Sequence, residues 1–458
     1  MDPTGHLLAD ATQNLYPARM QMALSLGWHI VFACFGIAFP VLVLYAEWRG
    51  HRDDDPALSD LAHTWAKAMG LMFAAGAVSG TILSFEMGVL WPGLMARFGA
   101  VFGFPFLLEG FSFFLEAIFV GVYLYGWNRL PPRVHMLTAL PIIASGLAGA
   151  FFVVSANSWM NTPQGFTLDA TGRVVDAHPV AGMLNPSTAP EVVHMLLAAY
   201  MVTGFLVASV YAVGMLRGRR GRYHRLGMAI PLTVGAVAAP LQVIVGDWIA
   251  NTVADHQPVK LAAMEGLAHT QRAVPLSLGG VWVDGDLHGA LRVPYGLSLL
   301  VTHSLDGTVT GLDVAPVDLR PPVDVVHLSY NLMVGLGFAL VLLAVWLGWV
   351  WWRRRRLPGS RWFLRAAAAS GVAAVLAMEG GWVTTEVGRQ PWIVYELVRT
   401  ADAVSPAPGL RYGFYAVLAV YTVLTVATVY TLRRLAGRHD RPVAPQEDVP
   451  QPEPIGTR

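Results

Sequence analysis

Nine apolar stretches divide the chain, at about 20–46, 66–90, 101–127, 135–156, 190–216, 226–250, 328–352, 362–387 and 412–432. A helix needs about 20 apolar residues to cross the ~30 Å hydrocarbon core of a bilayer. The pattern therefore predicts an all-α, polytopic membrane protein with about nine transmembrane helices. The first stretch has neither a basic segment before it nor a small-residue cleavage site, so it reads as a retained span and not as a signal peptide.

The residues between the stretches are asymmetric. Arg49/Arg52, Arg129/Arg133, the run Arg217 to Arg225, Arg353–Arg356 and Arg433/Arg434/Arg438 fall in alternate connections. The other connections are poor in Lys and Arg. The positive-inside rule then places the N-terminus outside and the C-terminus in the cytoplasm. The chain divides into spans one to six (1–250), a long external segment (251–327), spans seven to nine (328–435) and a tail (436–458) whose Pro, Glu, Asp and Gln content predicts disorder. Segment 251–327 carries glycine-rich, strand-like pieces such as Gly279-Gly280-Val281-Trp282-Val283 and is too long for an idle connector. Residues 157–189 form a second long outer segment.

Composition sharpens this picture. Of 458 residues, 55% are hydrophobic and 13% charged, against about 25% charged in soluble proteins. A net charge of +1 gives no nucleic-acid footprint. A single cysteine, Cys34, excludes a disulfide framework, a cysteine-ligated iron–sulfur cluster and CxxCH haem attachment. Any metal must be held by His, Met, Asp or Glu.

Ionisable side chains inside a membrane are costly and mark function. His29 lies about ten residues into span one. Glu109 and Glu116, seven residues apart, share one face of span three. Glu86 closes span two, His194 opens span five, Met333 lies early in span seven, and Glu379 and Glu386 lie on span eight. With the orientation above, His29, His194, Met333, Glu109 and Glu386 all fall in the outer half of the bilayer, on five helices. His, Met and carboxylate without cysteine suit haem iron, and a His/Met pair gives low-spin, high-potential ligation. A proton-coupled transporter also places Glu and His mid-membrane, so spacing alone leaves both readings open. Most of the 17 methionines are expected in packing and the Trp and Tyr residues in interface belts.

An ordered set of strings resembles subunit I of the cytochrome bd-type quinol oxidases, over nearly the whole chain. The strings are ARMQMALSLGWH with Arg19 and His29, GTILSFEMG with Glu86, EGFSFFLE followed by GVYLYGW, and SANSWMNTP with Asn157 and Trp159. They continue with VVH at His194, GD at Asp247, KLAAMEG with Lys260 and Glu265, NLMVGLG at Met333, and GGWVTTEVGRQPW with Glu386 and Arg389. The resemblance implies that His194 and Met333 are the axial ligands of a low-spin haem b. His29 and Glu386 would each ligate one of two high-spin haems, a haem b and a haem d or third haem b. Glu109 and Glu116 would carry protons beside the oxygen-reducing haem. Lys260 and Glu265 would lie in an external quinol-binding loop, residues 251–327, with Glu265 accepting a quinol proton. Arg19 and Arg389 would pair with haem propionates, and Asn157 and Trp159 would lie near cofactor.

The implied protein oxidises membrane quinol outside and reduces O2 to water, building a proton gradient without pumping. It would work with subunit II, and with any small accessory subunits, in a bacterial or archaeal cytoplasmic membrane. Two features depart from the family pattern. Asn331 stands where many members carry an arginine two residues before the methionine ligand, and the stretch from Glu265 to Met333 resembles the short-loop type. The competing readings are a proton-coupled transporter, disfavoured by the lack of an inverted repeat, and a haem b quinol dehydrogenase that does not reduce oxygen.

Overall fold

The computed structural model describes the backbone of residues 3–437 and side chains from residue 13; of the predicted disordered tail at 436–458, the first two residues end the last helix and 438–458 lie outside the described residues. Among the described residues nine helices are long and apolar enough to cross a membrane. They are α1 (Pro3–Arg52), α2 (Pro56–Leu90), α3 (Pro92–Gly126), α4 (Ala139–Asn161), α5 (Thr188–Leu216) and α6 (Arg222–His256). A short helix α7 (Pro258–Glu265) follows, then α8 (Val323–Arg354), α9 (Arg361–Gly388) and α10 (Leu410–Gly437). The predicted spans all appear, but most helices extend beyond the apolar stretches into polar sequence. The fourth is split: Pro141 withholds an N–H and its ring crowds the Leu137 carbonyl, so Pro132–Leu137 ends as a separate turn at Thr138.

The arginine-bearing connections gather at one end. Arg222 at the start of α6 pairs with Asp55 between α1 and α2, and His135 before α4 pairs with Glu47 on α1. The opposite end is closed by the two long segments. Residues 157–189 fold into an antiparallel pair, Phe166–Leu168 with Val174–Ala177, and a turn of helix at Pro179–Met183. The 251–327 segment does contain strands, as nested antiparallel pairs: Gln271–Arg272 with Thr308–Val309, Leu276–Leu278 with Leu291–Val293, and Val281–Val283 with Asp286–His288.

Helix α5 sits at the centre, with 61% of its most apolar window buried, against 11% for α10. Its close approach to α6 depends on Gly204, where a Cβ would come within 2.7 Å of the Gly235 N and the Pro231 carbonyl. Phe205, Leu232, Phe363 and Leu364 fill the core between α5, α6 and α9. The outward faces of α3 and α8, with exposed Phe111, Phe114, Ile118, Leu342 and Val345, suit lipid or a partner helix.

Candidate cofactor and quinol site

A cavity of about 410 Å³ opens between α5, α6, α8 and α9 at the end away from the arginine clusters. That is within the range of cofactor and small-molecule sites, about 300–1,000 Å³. His194 and Met333 both line it, from α5 and α8. Small residues flank both: a Cβ on Gly246 would lie 3.6 Å from the His194 Cε1, and one on Gly381 would lie 3.0 Å from the Met333 Sδ.

Six buried side-chain polar atoms among the described residues have no hydrogen-bond partner, and three of them, His194 Nδ1, Gln242 Oε1 and Glu265 Oε2, belong to residues lining this one cavity. Leaving such an atom unpaired costs about 1–3 kcal/mol. Polar atoms concentrated without partners around an otherwise apolar space mark a ligand site. An unpaired imidazole and a thioether facing one apolar space are the donor set of a low-spin haem, so these residues fit that cofactor.

Lys260 and Glu265 line the same cavity from α7. Pro258 starts this helix, and Gly266, at φ +62°, ends it in the left-handed conformation that terminates helices. Both charged groups are thereby held inside, 3% and 4% exposed. Burial lowers the Lys260 ammonium to about 8 and raises the Glu265 carboxyl to about 7. The Tyr330 hydroxyl of α8 lies against Glu265.

Glu386 is anchored on both oxygens: Asn157 Nδ2 donates to Oε1 at 2.5 Å and Arg389 Nη2 to Oε2 at 2.7 Å. Arg389 also donates to the Asn161 Oδ1 at 3.1 Å, and Asn161 Nδ2 to Glu191 Oε1 at 2.9 Å. One polar chain thus runs from Asn157 through Glu386, Arg389 and Asn161 to Glu191, across α4, α9 and α5.

The remaining predicted residues lie elsewhere. His29 Nδ1 is 2.8 Å from the Ser79 Oγ of α2, and a Cβ on Gly80 would stand 3.1 Å from its ring. Close to His29 along α1, a Cβ at Gly27 would meet Glu379 of α9 at 3.3 Å. Glu109 and Glu116 are half-buried on one face of α3, with Glu116 against Gly36 of α1. Arg19 is exposed. Trp159 is 2% exposed, packs against Phe98, Phe102 and Phe166, and donates its indole N–H to the Gln164 carbonyl at 2.8 Å, outside the cavity. Glu86, quoted above within a family string, is buried and accepts from Gln21 and Ser25 at 2.9 and 2.8 Å. Sequence reading missed Glu191 and Tyr330 as site residues. Each lies three positions before a proposed ligand, His194 and Met333, and so on the same helix face; that spacing was the available signal.

A bundle of spanning helices around a His/Met-lined apolar cavity defines a polytopic membrane protein built for a redox cofactor. The family description "Cytochrome bd terminal oxidase subunit I" matches residues 17–440. The chain is 33% identical over 401 residues to a Bacillus subtilis protein named for a cytochrome bd menaquinol oxidase subunit I, covering 86% of this chain and 89% of that one. It is 30% identical over 407 residues to the cytochrome bd ubiquinol oxidase subunit 1 of the same organism, covering 86% of each. The bd oxidase structure from Geobacillus thermodenitrificans superposes with a TM-score of 0.86 at 34% identity, covering 93% of this chain and 98% of that one. The chain belongs to the cytochrome bd terminal oxidase subunit I family. Membership implies quinol oxidoreductase activity, haem cofactors, a partner subunit II and a multi-pass place in a bacterial membrane, and it sets the transporter reading aside.

Proposed function

We propose that this chain is the haem-carrying subunit of a terminal oxidase that oxidises quinol at the outer face and reduces O2 to water. The observation that carries the reading is the single cavity shared by His194, Met333, Lys260 and Glu265. His194 and Met333 would hold a low-spin haem b; His29 and Glu386 would each hold one high-spin haem, one of them haem d or a third haem b. When bound, these groups supply one-electron carriers and an iron with a free position for oxygen.

The chain's own residues do the rest. The 251–327 segment and α7 bind quinol, with Lys260 directing a charged N–H donor at a quinol oxygen and Glu265 accepting a proton. Arg389 and Arg19 offer guanidinium forks to haem propionates, and Asn157 with Arg389 fixes the orientation of Glu386. Glu109 and Glu116 carry protons from the arginine-rich, cytoplasmic end. Protons released outside and consumed from inside separate charge without a pump, so turnover builds a proton gradient.

The test is a reduced-minus-oxidised optical spectrum of the purified complex with subunit II, repeated under carbon monoxide, together with quinol-driven oxygen uptake. Haem b bands, a CO-sensitive far-red chlorin band and oxygen uptake are the expected result. CO-sensitive haem b without the chlorin band assigns a third haem b in place of haem d. A properly assembled, haem-supplied complex with no haem signal overturns the reading.

A further inference from the structure

Beside the large cavity lies a second of about 10 Å³, between the start of α5 and the end of α6. It has the size that holds one water, which needs two to four polar partners. Ser187, Glu191, Thr252, His256 and Gln257 supply them. Glu191 is the one ionisable residue, among those described, that lines both cavities. His256 is exposed at the end of α6, away from the arginine-rich loops.

Resting on the reading of the large cavity as the quinol site, we infer that Glu191, a water in the small cavity and His256 form the path by which a quinol proton leaves for the outer solvent. Oxidation of quinol to quinone breaks two O–H bonds and frees two protons and two electrons. The electrons go to oxygen by way of the family's haem cofactors, and the protons need carriers. Glu265 takes one from the cavity side. Glu191 takes the other, passes it across one water to the His256 imidazole, and is left free for the next turnover.

The groups facing Glu191 suit a carboxylate that cycles its proton. Asn161 of α4 donates to it, while Lys260 of α7 and Arg389 and Glu386 of α9 lie within electrostatic reach. Charges of both signs thus face this carboxyl. His256 lines the small cavity on one side and is open to solvent on the other.

The experiment uses the assembled oxidase in liposomes, outer face outward, with a pH dye outside and quinol delivered by rapid mixing. Glu191→Gln is expected to slow proton appearance on the order of 10²-fold, with Glu191→Asp restoring most of it and the haem spectrum unchanged. His256→Ala, at an exposed position safe for folding, is expected to slow release and to be rescued by added imidazole. Infrared pH-difference spectra without quinol should lose a carboxyl C=O band in Glu191→Gln. Wild-type proton release in both variants, or a His256→Ala defect that imidazole does not relieve, overturns the path alone. If Glu191→Gln loses haem, the His256→Ala result decides. A wild-type complex that neither oxidises quinol nor releases protons overturns the quinol-site reading and the path with it.

Discussion

At the arginine-rich end, Glu47 is 3% exposed and both of its oxygens are occupied, one by the Tyr123 hydroxyl at 2.5 Å and one by His135 Nδ1 at 2.6 Å. The second His135 nitrogen meets the Tyr123 carbonyl at 2.8 Å. At the opposite end, Glu265 is buried as deeply, yet its Oε2 has no partner, and neither has His194 Nδ1 or Gln242 Oε1 beside the same cavity. Burial of charge is therefore not what separates structure from chemistry here. Buried polar groups that satisfy each other stiffen a junction; buried polar groups left unsatisfied beside a cavity await a ligand.

The largest expected effect tests the unsatisfied end. His194→Ala is expected to abolish the low-spin haem b signal and quinol oxidation together, and Met333→Leu to disturb the same band while leaving the CO-sensitive haem. Both are read in the reduced-minus-oxidised spectrum. An unchanged low-spin band in His194→Ala would return that histidine to a packing role.

Next is Glu265. Glu265→Gln is expected to slow quinol oxidation by about 10²–10⁴-fold with haem content intact. In the wild type, proton acceptance needs the carboxylate, which grows in as pH rises through about 7, the value to which burial lifts Glu265. Cationic Lys260 is lost as pH rises through about 8. Turnover should therefore rise and then fall between these limbs, and Lys260→Arg should carry the falling limb upward. A flat profile over this range would remove both residues from quinol chemistry.

Much of this was legible in the sequence. The nine spans follow from apolar length alone, and the His and Glu residues stand out because a membrane interior makes each one anomalous, whereas Met333, one apolar methionine among 17, was singled out by the family resemblance. Lys260 and Glu265 were legible only through family resemblance, since in an external segment they look like ordinary surface charges. Their burial comes from α7 folding back between α6 and α8, a tertiary event with no local signal. The same holds for Glu191, whose role depends on lining two cavities at once, and for Trp159, whose string suggested cofactor while its neighbours Phe98 and Phe102 draw it into packing. The split at Thr138 was readable from Pro141 but is masked by the apolar residues that follow it.

A smaller effect is expected at the satisfied end. Tyr123→Phe removes one donor from buried Glu47, which costs about 1–3 kcal/mol. The thermal midpoint of the solubilised complex should fall while oxygen uptake per haem stays unchanged. Lost turnover at full stability would instead make this cluster part of the proton supply.

The smallest effect joins the 251–327 segment to the cavity. Asn331 lines the cavity, accepts from the Gly279 N–H at 2.8 Å and donates to the His327 carbonyl at 3.0 Å. His327 in turn lies 3.0 Å from the Gly279 carbonyl through Nε2. The hairpin that begins at Gly279 is therefore pinned to α8 twice, and Asn331→Ala removes one pin. A single net hydrogen bond is worth about 0.5–1.5 kcal/mol, a factor of roughly 2–12 in an equilibrium. That loss falls on the positioning of the segment over the cavity and not on the proton acceptor or the iron ligands. Quinol KM should rise by no more than that factor while kcat and the haem spectrum hold. A fall in kcat with KM unchanged would mean that Asn331 acts on the low-spin haem itself, and that the hairpin needs only its second pin.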